Sequence, residues 1–346
     1  MHHVPHHVPA HFYGEYVRAL HSGDVNSVRH IMLVLAEQGF TADQVIRDLI
    51  APGQREIGQA WGGSKLTVAE EHEATAIAEE ALVLLLDSSS DAADGQLGDV
   101  VLCAAQGEWH SIAARMVAAV WRHLGWNVHL LVPSVPAADI RELLAGSPVV
   151  LSGVTCAMSA NLFGAWRVIS ALRELGCWVI AGGRGFGPPA RGEMGVRTLG
   201  ADAFAPDPMS GHEVLLRLRA LGPPGRRPGV DLGERGQEAE RLMRDALPIV
   251  SDCVSLADGL RPQLITDERA ARQASDDLRL LFHSAVSAAL IDAPWIMSDH
   301  ASWYREMMLA SGADPNLGNL WIDTLLSRLP SQAHYVRAVL AATPRG

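Results

Sequence analysis

Hydrophobic positions change their period twice along this chain. From residue 12 to 86 they recur at three- and four-residue spacing, the signature of amphipathic helices. Asp24 is placed to cap "VNSVRHIMLVLAEQ", which ends at Gly39, and Thr41 with Gln44 forms a capping box opening "ADQVIRDLI". Pro52 starts a helix running to Trp61. After the turn "GGSKL", a second box of Thr67 and Glu70 precedes "VAEEHEATAIAEEALVLLL". These are four or five helices of a bundle, closed by the polar linker "DSSSDAADGQLGD".

Between residues 99 and 220 short apolar runs alternate with helical stretches. The strand candidates are "DVVLCAA", "NVHLLVP", "PVVLSGVT", "CWVIAGG" and "ADAFAP"; helices begin near His110, Pro136, Ser159, Pro188 and Ser210. Near-continuous apolar strands with intervening helices predict a parallel, doubly wound sheet. A Pro/Gly/Arg linker, "LGPPGRRPGVDLGERG", follows, and residues 236–346 again read as helices only. Long helices are expected over "QEAERLMRDALPIVSDCVSLADGL", "DERAARQASDDLRLLFHSAVSAALIDA" and "PWIMSDHASWYREMMLASG", then a shorter pair. The predicted class is α/β plus all-α: a helical bundle (1–96), a Rossmann-like or flavodoxin-like domain (97–222) and a C-terminal helical domain (236–346).

Composition narrows the function. With 48% hydrophobic and 19% charged residues, the 346-residue chain reads as globular. A net charge of −11 and no basic run argue against direct nucleic-acid binding. Lys65 is the only lysine. The cysteines Cys103, Cys156, Cys177 and Cys253 show no metal-type spacing. No secretory h-region and no membrane-length apolar run is present, so a cytoplasmic protein with reduced thiols is expected. The histidines of "MHHVPHHVPAHF" are interrupted by prolines and read as a terminus rather than a metal site.

In a sheet of order 2-1-3-4-5 ligands sit where strands 1 and 3 diverge. The first strand's exit carries Glu108 and His110. The third ends with Ser152, Val154 and Thr155, and the fourth with Gly182 and Gly183, all on one sheet edge. The first turn lacks G-x-G-x-x-G, which excludes a dinucleotide clamp and a phosphate cradle. An imidazole held by a carboxylate suits metal ligation instead, while glycines at a strand end admit a bulky flat group. The plainer alternative is a Glu-x-His turn that merely starts a helix.

This set resembles the cobalamin-binding domain that takes its cofactor base-off, with motif D-x-H-x-x-G, then S-x-L, then G-G. Here stand Glu108-x-His110-x-x-Ala113, Ser152-x-Val154 and Gly182-Gly183. The resemblance implies His110 as the lower cobalt ligand, Glu108 as its partner, and Ser152 as a hydrogen-bond donor to the nucleotide tail passing the glycines. Glu for Asp and Val for Leu are mild departures. Ala113 replaces the glycine that lets the tail pass close to the helix.

Upstream, Trp61 ends one helix, and Val68, Glu71, His72 and Thr75 share a face of the next. Taken singly, a Trp at a helix end and a helical His are ordinary packing. The spacing W-x9-E-H nevertheless resembles light-responsive cobalamin photoreceptors of the CarH type, whose bundle shields an upper adenosyl group. That resemblance implies Trp61 packing on the adenosine, with Glu71 and His72 around it. Two departures stand out: no DNA-binding helix-turn-helix precedes the bundle, and Gly62 replaces the histidine that follows the Trp. The order of modules resembles the photocobilins, which hold a bilin in a globin-like C-terminal domain. Its implied lining here is His283, Trp295, His300 and Trp303, although these aromatics also read as plain core. Nothing around Cys253 suggests an activated thiol for bilin attachment.

The resemblance implies a light sensor rather than an enzyme. It would bind adenosylcobalamin (cobalt) and biliverdin, self-associate as a light-dependent homodimer or higher oligomer, and signal to an unknown downstream protein without membrane or nucleic acid. The alternatives are a corrinoid methyl carrier for a methyltransferase system, whose G-D-x-H-D-I-G run is "GEWHSIAA" here, and a cobalamin-binding regulator or store that does not respond to light.

Overall fold

The computed structural model describes residues 7–88 and 95–345. His2, His3 and His6, and part of the first linker, lie outside the described residues. The N-terminal bundle comprises α1 (Ala10–His21), α2 (Val25–Glu37), α3 (Ala42–Val45), α4 (Ala51–Gly62) and α5 (Val68–Ser88). Between α3 and α4 the chain makes one wide turn, Ile46–Ile50, without breaking direction. The caps form as the sequence predicts. Asp24 accepts from Ser27 N at 3.0 Å. Thr41 and Gln44 bond reciprocally, as do Thr67 and Glu70.

Five parallel strands follow: β1 (Asp99–Ala104), β2 (Asn127–Leu131), β3 (Leu151–Thr155), β4 (Trp178–Gly182) and β5 (Ala203–Phe204), in the order β2-β1-β3-β4-β5. They alternate with α6 (Ile112–His123), α7 (Ala137–Leu143), α8 (Leu162–Glu174), α9 (Pro189–Thr198) and α10 (Pro208–Leu221). Successive strand side chains point to opposite faces, and the two faces belong to two different cores. Val100, Leu102, Leu151 and Ile180 pack into the core shared with the N-terminal bundle. Val101, Cys103, Val154, Val179 and Ala181 pack into the core shared with the C-terminal helices. The sheet is therefore clamped between two helical layers.

The C-terminal part holds α11 (Gly233–Arg244), α12 (Ala246–Leu260), α13 (Glu268–Leu290), α14 (Trp295–Ser311), α15 (Leu317–Arg328) and α16 (His334–Ala342). The expected single helix over 237–260 is two. Pro248 has no N–H to return to the carbonyl of Arg244, so the helix breaks at Asp245. Buried Glu238 accepts from Tyr335 N at 3.2 Å and Val336 N at 2.9 Å, closing the start of α16. The Pro/Gly/Arg linker is strapped to the sheet's other end: Arg227 donates to Asp202 and to Cys177 O, and Trp166 Nε1 to Val230 O. No helix among the described residues is long and apolar enough to cross a membrane.

Candidate corrinoid site

The turn after β1 is built to hold one imidazole. Gly107 opens it at φ +90°, a conformation that side chains disfavour, and its N–H donates to Ser134 Oγ at 2.9 Å. Ser134 N returns a bond to Glu108 O at 3.0 Å, pinning the turn to the end of β2. Glu108 is 1% exposed. Its Oε2 accepts from Ala157 N (3.0 Å), Met158 N (3.1 Å) and Asn161 Nδ2 (3.0 Å), all past the end of β3. Its Oε1 accepts from His110 N at 3.1 Å and faces His110 Nδ1 at 2.5 Å.

Burial alone would raise the Glu108 carboxyl. The hydrogen bond and charge of His110, with Asn161, outweigh it and hold the group below the ordinary carboxylate range. The hydrogen bond to Glu108 lifts the His110 imidazole above its usual value against the effect of burial; Glu71 adds in the same direction and Arg184 opposes. With Nδ1 committed to a carboxylate, the proton is fixed there and the Nε2 lone pair is left free. His110 keeps 56% of its side chain exposed, so that nitrogen is accessible at the sheet edge.

This donor suits a metal that brings its own equatorial ligands. No group of three or more His, Cys, Asp or Glu suited to a metal is found among the described residues. The N-terminal helical layer reaches the same turn. Glu79 in α5 accepts from Ser111 Oγ and pairs with Arg115 at 3.3 Å. Glu71 lies eight positions nearer the helix start, about 12 Å along the axis, and its charge acts on the His110 imidazole. Glu71 accepts from Thr75 Oγ1 at 3.0 Å, and His72 Nε2 lies 3.5 Å from it. Val68 and His72 are exposed.

The other motif positions are placed differently from expectation. Ser152 is fully buried and donates to Trp178 O at 2.8 Å. Val154 is buried in the core on the C-terminal side, and Thr155 Oγ1 points to Cys103 O at 3.4 Å. At the glycine pair the neighbouring backbone leaves no room for a side chain. A Cβ on Gly182 would come within 2.0 Å of Ala205 O, and one on Gly183 within 2.4 Å of Cys156 O. The fit to a corrinoid is carried by the Glu108–His110 pair, while Ser152 and the glycines also meet internal partners.

Sequence reasoning missed Ser134 and Asn161, which arrive from distant loops with no local signal. It also missed Trp109, which is 75% exposed between Glu108 and His110, and Arg184, which directly follows the glycine pair.

In the C-terminal helices His300 lies 5.9 Å from the Trp303 ring and stacks on Tyr304 at 6.3 Å. Tyr304 OH donates to Asp277 at 2.6 Å and accepts from Trp321 Nε1 at 2.8 Å. His283 packs beside Phe282. Trp295 stands apart, against Gly187 and under the Arg191 guanidinium at 5.3 Å. Burial pushes the Cys253 thiol up to about 12, so it is not an activated nucleophile. A cavity of about 130 Å³ is lined by Leu281, His300, Tyr304 and Trp321.

Fold and crevice define an α/β ligand-binding domain packed against a helical bundle, with a carboxylate-held, half-exposed histidine at the sheet edge. Two family models, each described as a B12 binding domain, match residues 13–86 and 98–205. The chain therefore carries a cobalamin-binding module. The monomethylamine corrinoid protein of Methanosarcina barkeri superposes with a TM-score of 0.52 at 17% identity, over 60% of this chain and 98% of that one. The methanol:cobalamin methyltransferase complex of the same organism gives 0.32 at 17% identity, over 62% and 82% of the two chains. A cobalamin-binding protein from Desulfitobacterium hafniense DCB-2 gives 0.32 at 18%, over 59% and 97%. At this identity the first likeness is one of fold alone, and the other two superpose too loosely to carry weight. No curated protein matches the chain significantly.

Proposed function

We propose that this protein is a cytoplasmic light sensor that binds adenosylcobalamin through His110 and a biliverdin among its C-terminal helices. The observation that carries the reading is the crevice at His110. His110 exposes a nitrogen at the sheet edge. Glu79 of α5 is bonded to the neighbouring Ser111, and the charge of Glu71 from the same helix acts on the imidazole. The upper position of Trp61 is part of the proposal. When bound, adenosylcobalamin supplies a light-labile cobalt–carbon bond. Trp61, Glu71 and His72 then hold the upper group, and through it the bundle is kept against the sheet domain. Loss of that contact removes one link between the bundle and the sheet domain beside their shared core, shifts the population between two domain arrangements and changes self-association. The chain acts as a non-enzymatic switch whose signal passes to a downstream protein through altered assembly.

For the bilin, His283, His300 and Trp303 supply the lining, with Trp295 at the far end of α14. Of these residues only His300 lines the cavity of about 130 Å³, which is well below the roughly 300–1,000 Å³ of small-molecule pockets, so bilin uptake requires these helices to part.

The fold likeness to a monomethylamine corrinoid protein favours a second reading, a methyl carrier. Size-exclusion chromatography with light scattering separates the two. Loaded in darkness and then exposed to green light, the sensor changes oligomeric state, and Trp61→Ala loses that response. A carrier, or a store, shows no light-driven change. A red-shifted, protein-bound absorption band on adding biliverdin is expected, and its absence removes the bilin.

A further inference from the structure

The C-terminal helices reach the roof of the crevice. Helix α14 touches the end of α4, where the rings of Trp303 and Trp61 lie 6.2 Å apart at 33°. A Cβ placed on Gly62 would meet Trp303 Nε1 at 3.7 Å, ordinary van der Waals contact. Alanine would fit at position 62, and Trp303 borders the space into which that position projects.

The indole is held in place. Its own helix supplies His300 and Tyr304 against it. His300 Nδ1 is 3.2 Å from Ser284 Oγ, and Tyr304 is tied to Asp277 and Trp321. At its other end α14 is seated by Trp295 on the loop after β4, where a Cβ on Gly187 would meet the ring at 2.8 Å. One helix thus bridges the roof at Trp61 and the sheet domain close behind Arg184, whose charge acts on His110. Trp61 and Trp303 are both only half-buried, and two tilted indoles side by side present a wall for a flat aromatic group.

We propose that Trp303 is a corrinoid-site residue supplied by the C-terminal helices: with Trp61 it forms the wall against which a flat group on the upper face of the corrin packs. The inference rests on the corrinoid reading above and adds that the third domain selects the upper ligand. It also gives the C-terminal helices direct contact with whatever leaves that face.

The test is a dark titration of full-length wild type, Trp303→Ala and Trp303→Phe with adenosylcobalamin and, separately, hydroxocobalamin, read by absorbance. Removing one aromatic partner should weaken the adenosyl form about tenfold and the hydroxo form less than about twofold, with Trp303→Phe restoring most of the loss. Equal weakening of both forms, or no weakening of either, overturns the proposal, as does failure of Trp303→Phe to rescue. Should Trp303→Ala not fold, Trp303→Gln, which keeps length but not the ring, decides in its place. Wild type that takes up neither form refutes the corrinoid reading itself, a result distinct from the others.

Discussion

The Glu108 carboxylate accepts from two backbone N–H groups and Asn161 on one oxygen and from His110 twice on the other. Glu108→Gln replaces an acceptor by an NH2 facing donors. Denaturant unfolding should show a loss of about 1–3 kcal/mol, and cobalamin affinity should fall about 10- to 100-fold as the imidazole loses its orienting partner. Unchanged affinity would mean that the pair does not serve the cofactor. The Glu-x-His spacing was legible because both residues sit in one short turn after an apolar strand. The donors that complete it were not, since Ser134, Ala157, Met158 and Asn161 enter from other strand ends. The glycine pair was legible as a feature, and the structure adds a local reason for it: Ala205 O and Cys156 O fill the space that a Cβ would take.

At the scale of elements, strands were readable where burial on both sides makes them continuously apolar, and helices where caps mark their starts. The break at Asp245 depends on one missing N–H at Pro248. Helix α14 also carries a pH dependence together with α13. Burial lowers His283 to about 4, with Arg279 acting in the same direction, and burial lowers His300 to about 4. Both imidazoles are neutral in the folded chain, whereas in the unfolded chain they bind protons below the ordinary value of about 6.5. The unfolded state therefore holds more protons between about pH 6.5 and pH 4, and stability falls as pH drops through that window. Each group contributes up to about 1.4 kcal/mol per pH unit there. Circular-dichroism melts should show Tm dropping between about pH 7 and about pH 5, and His300→Gln should flatten the drop. An equal slope in that variant would contradict the assignment.

For the whole molecule, the sequence divided the chain into three segments, yet their coupling lay outside its reach. The sheet faces two cores, the Pro/Gly/Arg linker is strapped down by Arg227 and Trp166, and α14 spans from the loop after β4 to Trp61. These are contacts between residues far apart in the chain, which no periodicity encodes. They matter for function because the roof of the crevice is held from two sides, by α5 docked on α6 and by α14. A change at the crevice can then reach both helical layers.

The claim on which the account turns is that the His110 nitrogen ligates cobalt. Electron paramagnetic resonance of the reduced, Co(II)-loaded protein reads that bond, because an axial nitrogen splits each cobalt line. With ordinary histidine the splitting should be a triplet. With uniformly 15N-labelled histidine it should become a doublet, and His110→Ala should abolish the doublet. A triplet that persists in the 15N-histidine protein would show that the nitrogen comes from the cofactor's own base, and the account of the site would be wrong.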